Sequence, residues 1–111
     1  MTGDAPLPRR GEVWWVRVDK RRPAVIVQTD KVREPRVASF LVVPLTSRLH
    51  LEGLPGNVRL EARSTRLSKP SVANLYDLQK VLKSDLIEPV GELRGSEMAA
   101  IDAGLRLVLE L

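Results

Sequence analysis

Two short stretches carry the residue types best suited to act on a phosphate. The first is Arg21-Arg22-Pro23, where a charged connection runs into an apolar strand. Pro23 fixes its own backbone and restricts Arg22 before it to extended conformations. An arginine held in that way presents a planar fork of donors that matches two phosphate oxygens. The second stretch is Val43-Pro44-Leu45-Thr46-Ser47, at the end of another strand. Its two hydroxyls can donate to a phosphate oxygen or a ribose hydroxyl. Each stretch also has a plainer reading: a surface arginine before an edge proline, and hydroxyls that cap a turn. The residues by themselves leave both readings open.

Other chemistries are poorly served. The chain has no cysteine, which removes disulfides, thiol nucleophiles and cysteine metal sites, and fits a reducing cytoplasm. A single histidine, His50, makes a histidine-rich metal centre impossible within one chain; it lies in a loop and reads as a surface residue. There is no phosphate-cradling glycine loop, no metal-ligand spacing and no acid–base carboxylate pair. The charge is more telling. Among 111 residues the net charge is +4, and 13 of the 18 basic residues are arginine. Residues 1–66 hold 13 Lys+Arg against 7 Asp+Glu, whereas residues 67–111 hold 5 against 7. An arginine-rich first part suggests a polyanion partner, with nucleic acid the leading candidate, and a solvated basic face the alternative.

Short strands must position these residues. Residues 1–8 read as a flexible lead-in and 9–111 as one domain. Strands are expected at Glu12–Val18, Ala24–Gln28 and Val37–Val43, the last closed by Pro44. Val13 to Val16 are all apolar, so both faces of the first strand are partly covered. Asp19–Pro23 is a short charged connection, Lys31–Arg36 a polar loop and Arg48–Gly56 a second loop. Asn57–Glu61 alternates as a half-buried strand. Leu67–Pro70 is a turn, and Ser71–Tyr76 and Leu78–Leu82 supply further extended segments. Close strand spacing with turn signals argues a small barrel. At the end, Ser96 can cap a helix whose Met98, Ile101, Leu105 and Val108 lie on one face. Gly104 costs that helix about 1 kcal/mol of propensity relative to alanine. The longest apolar run, Phe40–Leu45, is far too short to cross a membrane. Met1–Arg10 shows no apolar core of a secretory signal, so a cytoplasmic location is expected.

An ordered set of motifs then resembles the MazF/PemK family of bacterial toxin endoribonucleases. The set is Arg10-Gly11-Glu12-Val13-Trp14, Arg22-Pro23-Ala24-Val25-Ile26-Val27-Gln28 and Pro44-Leu45-Thr46-Ser47, then Leu54-Pro55-Gly56-Asn57-Val58, Ser71-Val72-Ala73-Asn74 and the helix from Ser96. No one of these is highly specific; their order over residues 9–111 is. The resemblance implies a mainly β fold, a small SH3-like β-barrel with a C-terminal α-helix, as a homodimer. It implies cleavage of single-stranded RNA at short motifs without a metal or other cofactor, and a cognate antitoxin that blocks the RNA groove. It maps the catalytic pair onto Arg22 and Thr46, with Ser47 as a phosphate contact and the basic neighbours Lys20, Arg21 and Arg48 as further RNA contacts.

These residue types suit attack of an RNA 2′-hydroxyl on the adjacent phosphorus. That reaction leaves a 2′,3′-cyclic phosphate and a 5′-hydroxyl, and would spare DNA. Arg22 can stabilise charge on the phosphorane and Thr46 can hydrogen-bond the nucleophile or an oxygen. Arginine is a poor general base, so the base is unassigned. Two departures from the family pattern matter. Only Asp19, Lys20 and Arg21 separate Val18 from Arg22, where the family commonly has a longer loop that gates the groove. Asp77 replaces a common glutamine and opposes phosphate unless it faces away. They keep a second reading in view: a non-catalytic basic barrel that binds nucleic acid or an antitoxin. A gyrase-poisoning toxin of similar fold is disfavoured, because that activity uses a Trp-Gly-Ile tail and this chain ends Leu109-Glu110-Leu111. Trp14 and Trp15 suit either base stacking or packing within the strand. Leu107 and Leu109 fall outside the helix stripe and offer apolar surface to a second chain.

Overall fold

The computed structural model describes residues 7–32 and 34–111. Most of the expected lead-in, residues 1–6, lies outside them; Leu7 is exposed and Pro8 is buried. Seven antiparallel strands follow: β1 Glu12–Arg17, β2 Arg21–Ile26, β3 Ser39–Thr46, β4 Val58–Leu60, β5 Ser71–Ala73, β6 Gln79–Leu82 and β7 Leu86–Glu92. A one-turn helix, α1 Ala62–Thr65, links β4 to β5, and α2 Ser96–Leu109 ends the chain.

The eight-residue β3 organises the sheet. It pairs with β2 along one edge. Along the other it pairs first with β6, over Ser39–Val42, and then with β5, over Leu45–Thr46. β1 joins β2 to β7, and β4 extends from β5. The sheet β7-β1-β2-β3-β6 curls around Trp14, Val16, Ala24, Ile26, Phe40, Val42 and Val81. Residues of opposite parity, Val13, Val25, Val43 and Leu45, form a second core with Leu60, Leu75, Leu93 and Ile101 of α2. Strands buried on both faces read as unbroken apolar runs, which accounts for Val13–Val16 and Ala24–Val27. Trp14 sits in the first core with its indole N–H on Glu12 Oε1 at 3.0 Å, so it packs and does not stack on bases.

Four local differences from the sequence reading have physical causes. β2 begins at Arg21, because the turn is tighter than expected: the Val18 N–H closes on the Lys20 carbonyl at 3.1 Å. β3 passes through Pro44 to Thr46. Pro44 falls where β3 changes partner from β6 to β5, so no ladder bond needs its missing N–H, and its carbonyl accepts from Asn74 N at 3.1 Å. β7 carries Pro89 and Gly91, residues that ordinarily break a strand, and the sequence pattern gives no strand there. Two bulges in its ladder with β1, at Val90 and Ile87, absorb these breakers. Finally, α2 is capped by Gly95 with no side-chain bond, and Ser96 lies inside the helix. Ile101 and Gly104 are its buried residues; Leu107 and Leu109 are exposed. Arg10 ties helix to sheet, donating from Nε to the Val27 carbonyl at 2.8 Å and from Nη2 to Asp102 Oδ1 at 2.5 Å.

Candidate active site

The ladder between β2 and β3 ends at the pair Ala24–Pro44, and Arg22 and Thr46 each lie two residues beyond that pair on their own strands. Both side chains line one open cleft of about 850 Å³. Ser47, Arg21, Arg48 and Lys20 line it too, so the structure brings all six sequence-derived candidates together. The cleft therefore sits at the mouth of two strands whose inner residues are core. That rigid base is what fixes its side chains.

Arg22 is half-buried and holds Asp19 as a two-point pair. Its Nε donates to Oδ1 at 3.1 Å and its Nη2 to Oδ2 at 3.5 Å. The hydrogen bond from Arg22 keeps the Asp19 carboxyl below its ordinary range. Asp19, and at longer reach Asp77, strengthen the hold of Arg22 on its proton. Asp77 thus faces the cleft, as its place in the lining also shows. The pair is solvent-exposed, so screening keeps it weak and a phosphate can take the place of the carboxylate. The Thr46 hydroxyl accepts from the Arg48 backbone N–H at 3.2 Å. Having its oxygen engaged there, it retains its proton for donation into the cleft. Arg21 lies over the Trp15 ring at 4.5 Å and donates to Glu88 Oε1 at 2.9 Å, which anchors it to the strand surface. His50 is exposed in a 3₁₀ turn and does not line the cleft.

Sequence reasoning missed a second basic stretch. Arg66, Ser68 and Lys69, from the segment between α1 and β5, and Ser71, the first residue of β5, line the same cleft. The Leu67–Pro70 signal foretold a turn there but carried no information on what the turn faces. Among the described residues, no group of three or more His, Asp or Glu side chains is gathered to hold a metal ion. No helix among them is long and apolar enough to cross a membrane.

A small curled barrel with a cationic, hydroxyl-bearing cleft at its strand mouths is an architecture for handling phosphate-bearing ligands. Residues 9–109 match the family described as the PemK-like, MazF-like toxin of type II toxin–antitoxin systems. The chain belongs to that family. It is 37% identical to endoribonuclease MazF6 of Mycobacterium tuberculosis over 110 residues, covering 92% of this chain and 96% of that one. It is 30% identical to endoribonuclease MazF9 of the same organism over 117 residues, covering 95% and 98%. Among solved structures it resembles Mycobacterium tuberculosis toxin MazF-mt6, with a TM-score of 0.79 and 27% identity over 90% of this chain and 97% of that one. The fold is shared with a MazE–MazF structure from Deinococcus radiodurans, with a TM-score of 0.77 at 21% identity, covering 96% and 99%.

Proposed function

We infer that this protein is an endoribonuclease toxin that cuts single-stranded RNA by attack of a ribose 2′-hydroxyl on the neighbouring phosphorus, with Arg22 and Thr46 as its catalytic residues. The observation that carries this reading is the meeting of Arg22 and Thr46 in one cationic cleft at adjacent strand mouths. The scissile phosphate displaces the Asp19 carboxylate from the Arg22 fork, because both are two-oxygen acceptors for the same donors. The 2′-hydroxyl gives its proton to solvent water as its oxygen bonds to phosphorus, and charge builds on the non-bridging oxygens. Arg22 neutralises it, and the Thr46 hydroxyl donates to the same oxygens. The bond to the 5′-oxygen then breaks and that oxygen takes a proton from solvent water, giving a 2′,3′-cyclic phosphate and a 5′-hydroxyl. None of these roles calls for a metal ion. Ser47, Arg48 and Lys20 supply further contacts to the strand, and the anchored Arg21 with Trp15 supplies a flat surface for a base.

Residues 9–111 act as one domain in the cytoplasm and are neutralised by a cognate antitoxin that occupies the RNA cleft. Leu107 and Leu109, exposed on α2, support a homodimer. The Asp19–Arg22 pair and the cleft-facing Asp77 favour one alternative: a basic barrel that binds RNA or an antitoxin without cutting. Incubating the protein with long RNA in excess EDTA, beside its Arg22→Ala and Thr46→Ala variants, separates the two. Discrete cuts with cyclic-phosphate ends, lost in both variants, support the nuclease. Binding without cuts in several unrelated RNAs supports the alternative.

A further inference from the structure

We propose that Arg66 and Lys69 form a second phosphate-holding site, which grips the RNA beside the scissile bond and takes no part in breaking it. This rests on reading the cleft as the RNA site. The first observation is the charge pattern inside the cleft. Arg21 and Arg22 are each matched by a carboxylate, Glu88 and Asp19. Arg66 and Lys69, like Lys20 and Arg48, make no ion pair with any described carboxylate, although all four line the cleft. Their charge is available to a polyanion without a competing partner.

The second observation is how firmly this stretch is built. Arg66 takes a left-handed conformation, with φ of 67°, and its N–H closes α1 on the Ala62 carbonyl at 2.8 Å. A non-glycine residue there is uncommon and is tolerated only where its surroundings hold it. Here they do. Thr65 beside it is fully buried, and its hydroxyl accepts from the Leu67 N–H at 3.1 Å. Gly91 of β7 lies directly against the turn: a Cβ there would stand 2.6 Å from the Thr65 carbonyl oxygen and 2.8 Å from Arg66 Cγ. The bulge at Val90 presents that glycine to the turn. The third observation is Ser71, at the far end of the stretch. It is 4% exposed, and its hydroxyl finds no hydrogen-bond partner among the described residues, although the residue borders the cleft. Buried hydroxyls are ordinarily satisfied, so this one marks the border of the cleft as a place where a polar group is wanting.

In this role Arg66 and Lys69 hold phosphates next to the scissile one, and so lower KM without touching the reacting atoms. The test is an Arg66→Gln/Lys69→Gln variant, with Arg66→Lys/Lys69→Arg as the charge-keeping control and thermal unfolding as the check on folding. Wild type and variants are assayed on a long single-stranded RNA. Binding of an uncut strand of about 20 nucleotides is followed in an Arg22→Ala background across salt concentrations. The Gln variant is expected to cut the same bonds with KM raised about ten-fold and kcat within about two-fold. Its log–log salt slope should be shallower by about 1.4, at roughly 0.7 per lost phosphate contact on a single strand. The control should restore both. An unchanged KM and slope in a folded Gln variant, or a loss confined to kcat, would overturn the proposal. A wild type that binds RNA but cuts none would instead overturn the nuclease reading, and the salt slope would still test this site.

Discussion

Replacing Gly104 by alanine sets two forces of opposite sign against each other. Helix propensity favours the change, since glycine costs a helix interior about 1 kcal/mol relative to alanine. Packing opposes it. A Cβ on residue 104 would stand 2.2 Å from the Gly56 carbonyl oxygen and 2.3 Å from Leu75 Cδ1. The first obstacle is backbone, so it cannot rotate aside. To reach ordinary contact α2 must withdraw by about 1 Å, taking Ile101 away from Leu75 and Leu60, all three at 1% exposure or less. Overpacking of this kind costs about 1–3 kcal/mol, and a fully buried aliphatic side chain carries about 1.5–3 kcal/mol that is partly lost as the helix lifts. Against a gain of about 1 kcal/mol the net is a loss of about 2 kcal/mol. In urea unfolding that moves the midpoint down by about 1 M, for a slope of about 2 kcal/mol/M. Gly104→Ala as stable as the parent, or more so, would refute the close packing of α2 on the Gly56 turn.

Three further outcomes follow from the geometry. Asn57 donates to the Leu51 carbonyl at 3.0 Å and to Asn74 Oδ1 at 3.2 Å, and accepts from the Leu75 N–H at 2.9 Å. Asn57→Ala should therefore cost about 2–4 kcal/mol in urea unfolding, and a loss below about 1 kcal/mol would show that the bonds contribute little. Asp19→Asn removes the carboxylate that competes for the Arg22 fork, so RNA should bind more tightly at low salt; weaker binding by filter retention would mean that Asp19 positions Arg22 productively. Because Arg22 holds the Asp19 carboxyl below its ordinary value of 3.8, the pair's contribution is complete above that pH. It disappears only as pH falls through the lower folded value. A carboxyl titration by NMR with its midpoint at or above 3.8 would contradict the pairing.

The core strands were legible because their apolar runs are long: Glu12–Arg17 lies within the expected 12–18, and the stripe of Met98, Ile101, Leu105 and Val108 marked α2. That Arg22 and Thr46 share one cleft could be anticipated only through resemblance, since the two are 24 residues apart and come together just beyond the end of the β2–β3 ladder. β7 was hidden because Pro89 and Gly91 mimic a loop, and bulges that excuse such residues leave no local signature. Gly104 read as a propensity defect, whereas its purpose is set by Gly56 and Leu75, remote in sequence. Arg66 and Lys69 escaped notice for the same reason. A turn signal states that the chain reverses, and the cleft it faces depends on α1, Thr65 and Gly91 together.

The central claim is that Arg22 and Thr46 cut RNA by way of its own 2′-hydroxyl. It is tested most directly with one RNA strand carrying a mapped cut site, compared with the same strand bearing a single 2′-deoxy nucleotide immediately 5′ of the scissile bond, both in excess EDTA. The account predicts that the all-ribose strand yields a 2′,3′-cyclic phosphate and a 5′-hydroxyl. It predicts that the deoxy strand binds but stays intact at that bond, and that Arg22→Ala lowers the rate on the ribose strand at least about 100-fold. Cleavage of the deoxy strand, or an Arg22→Ala protein cutting at the parent rate, would contradict it.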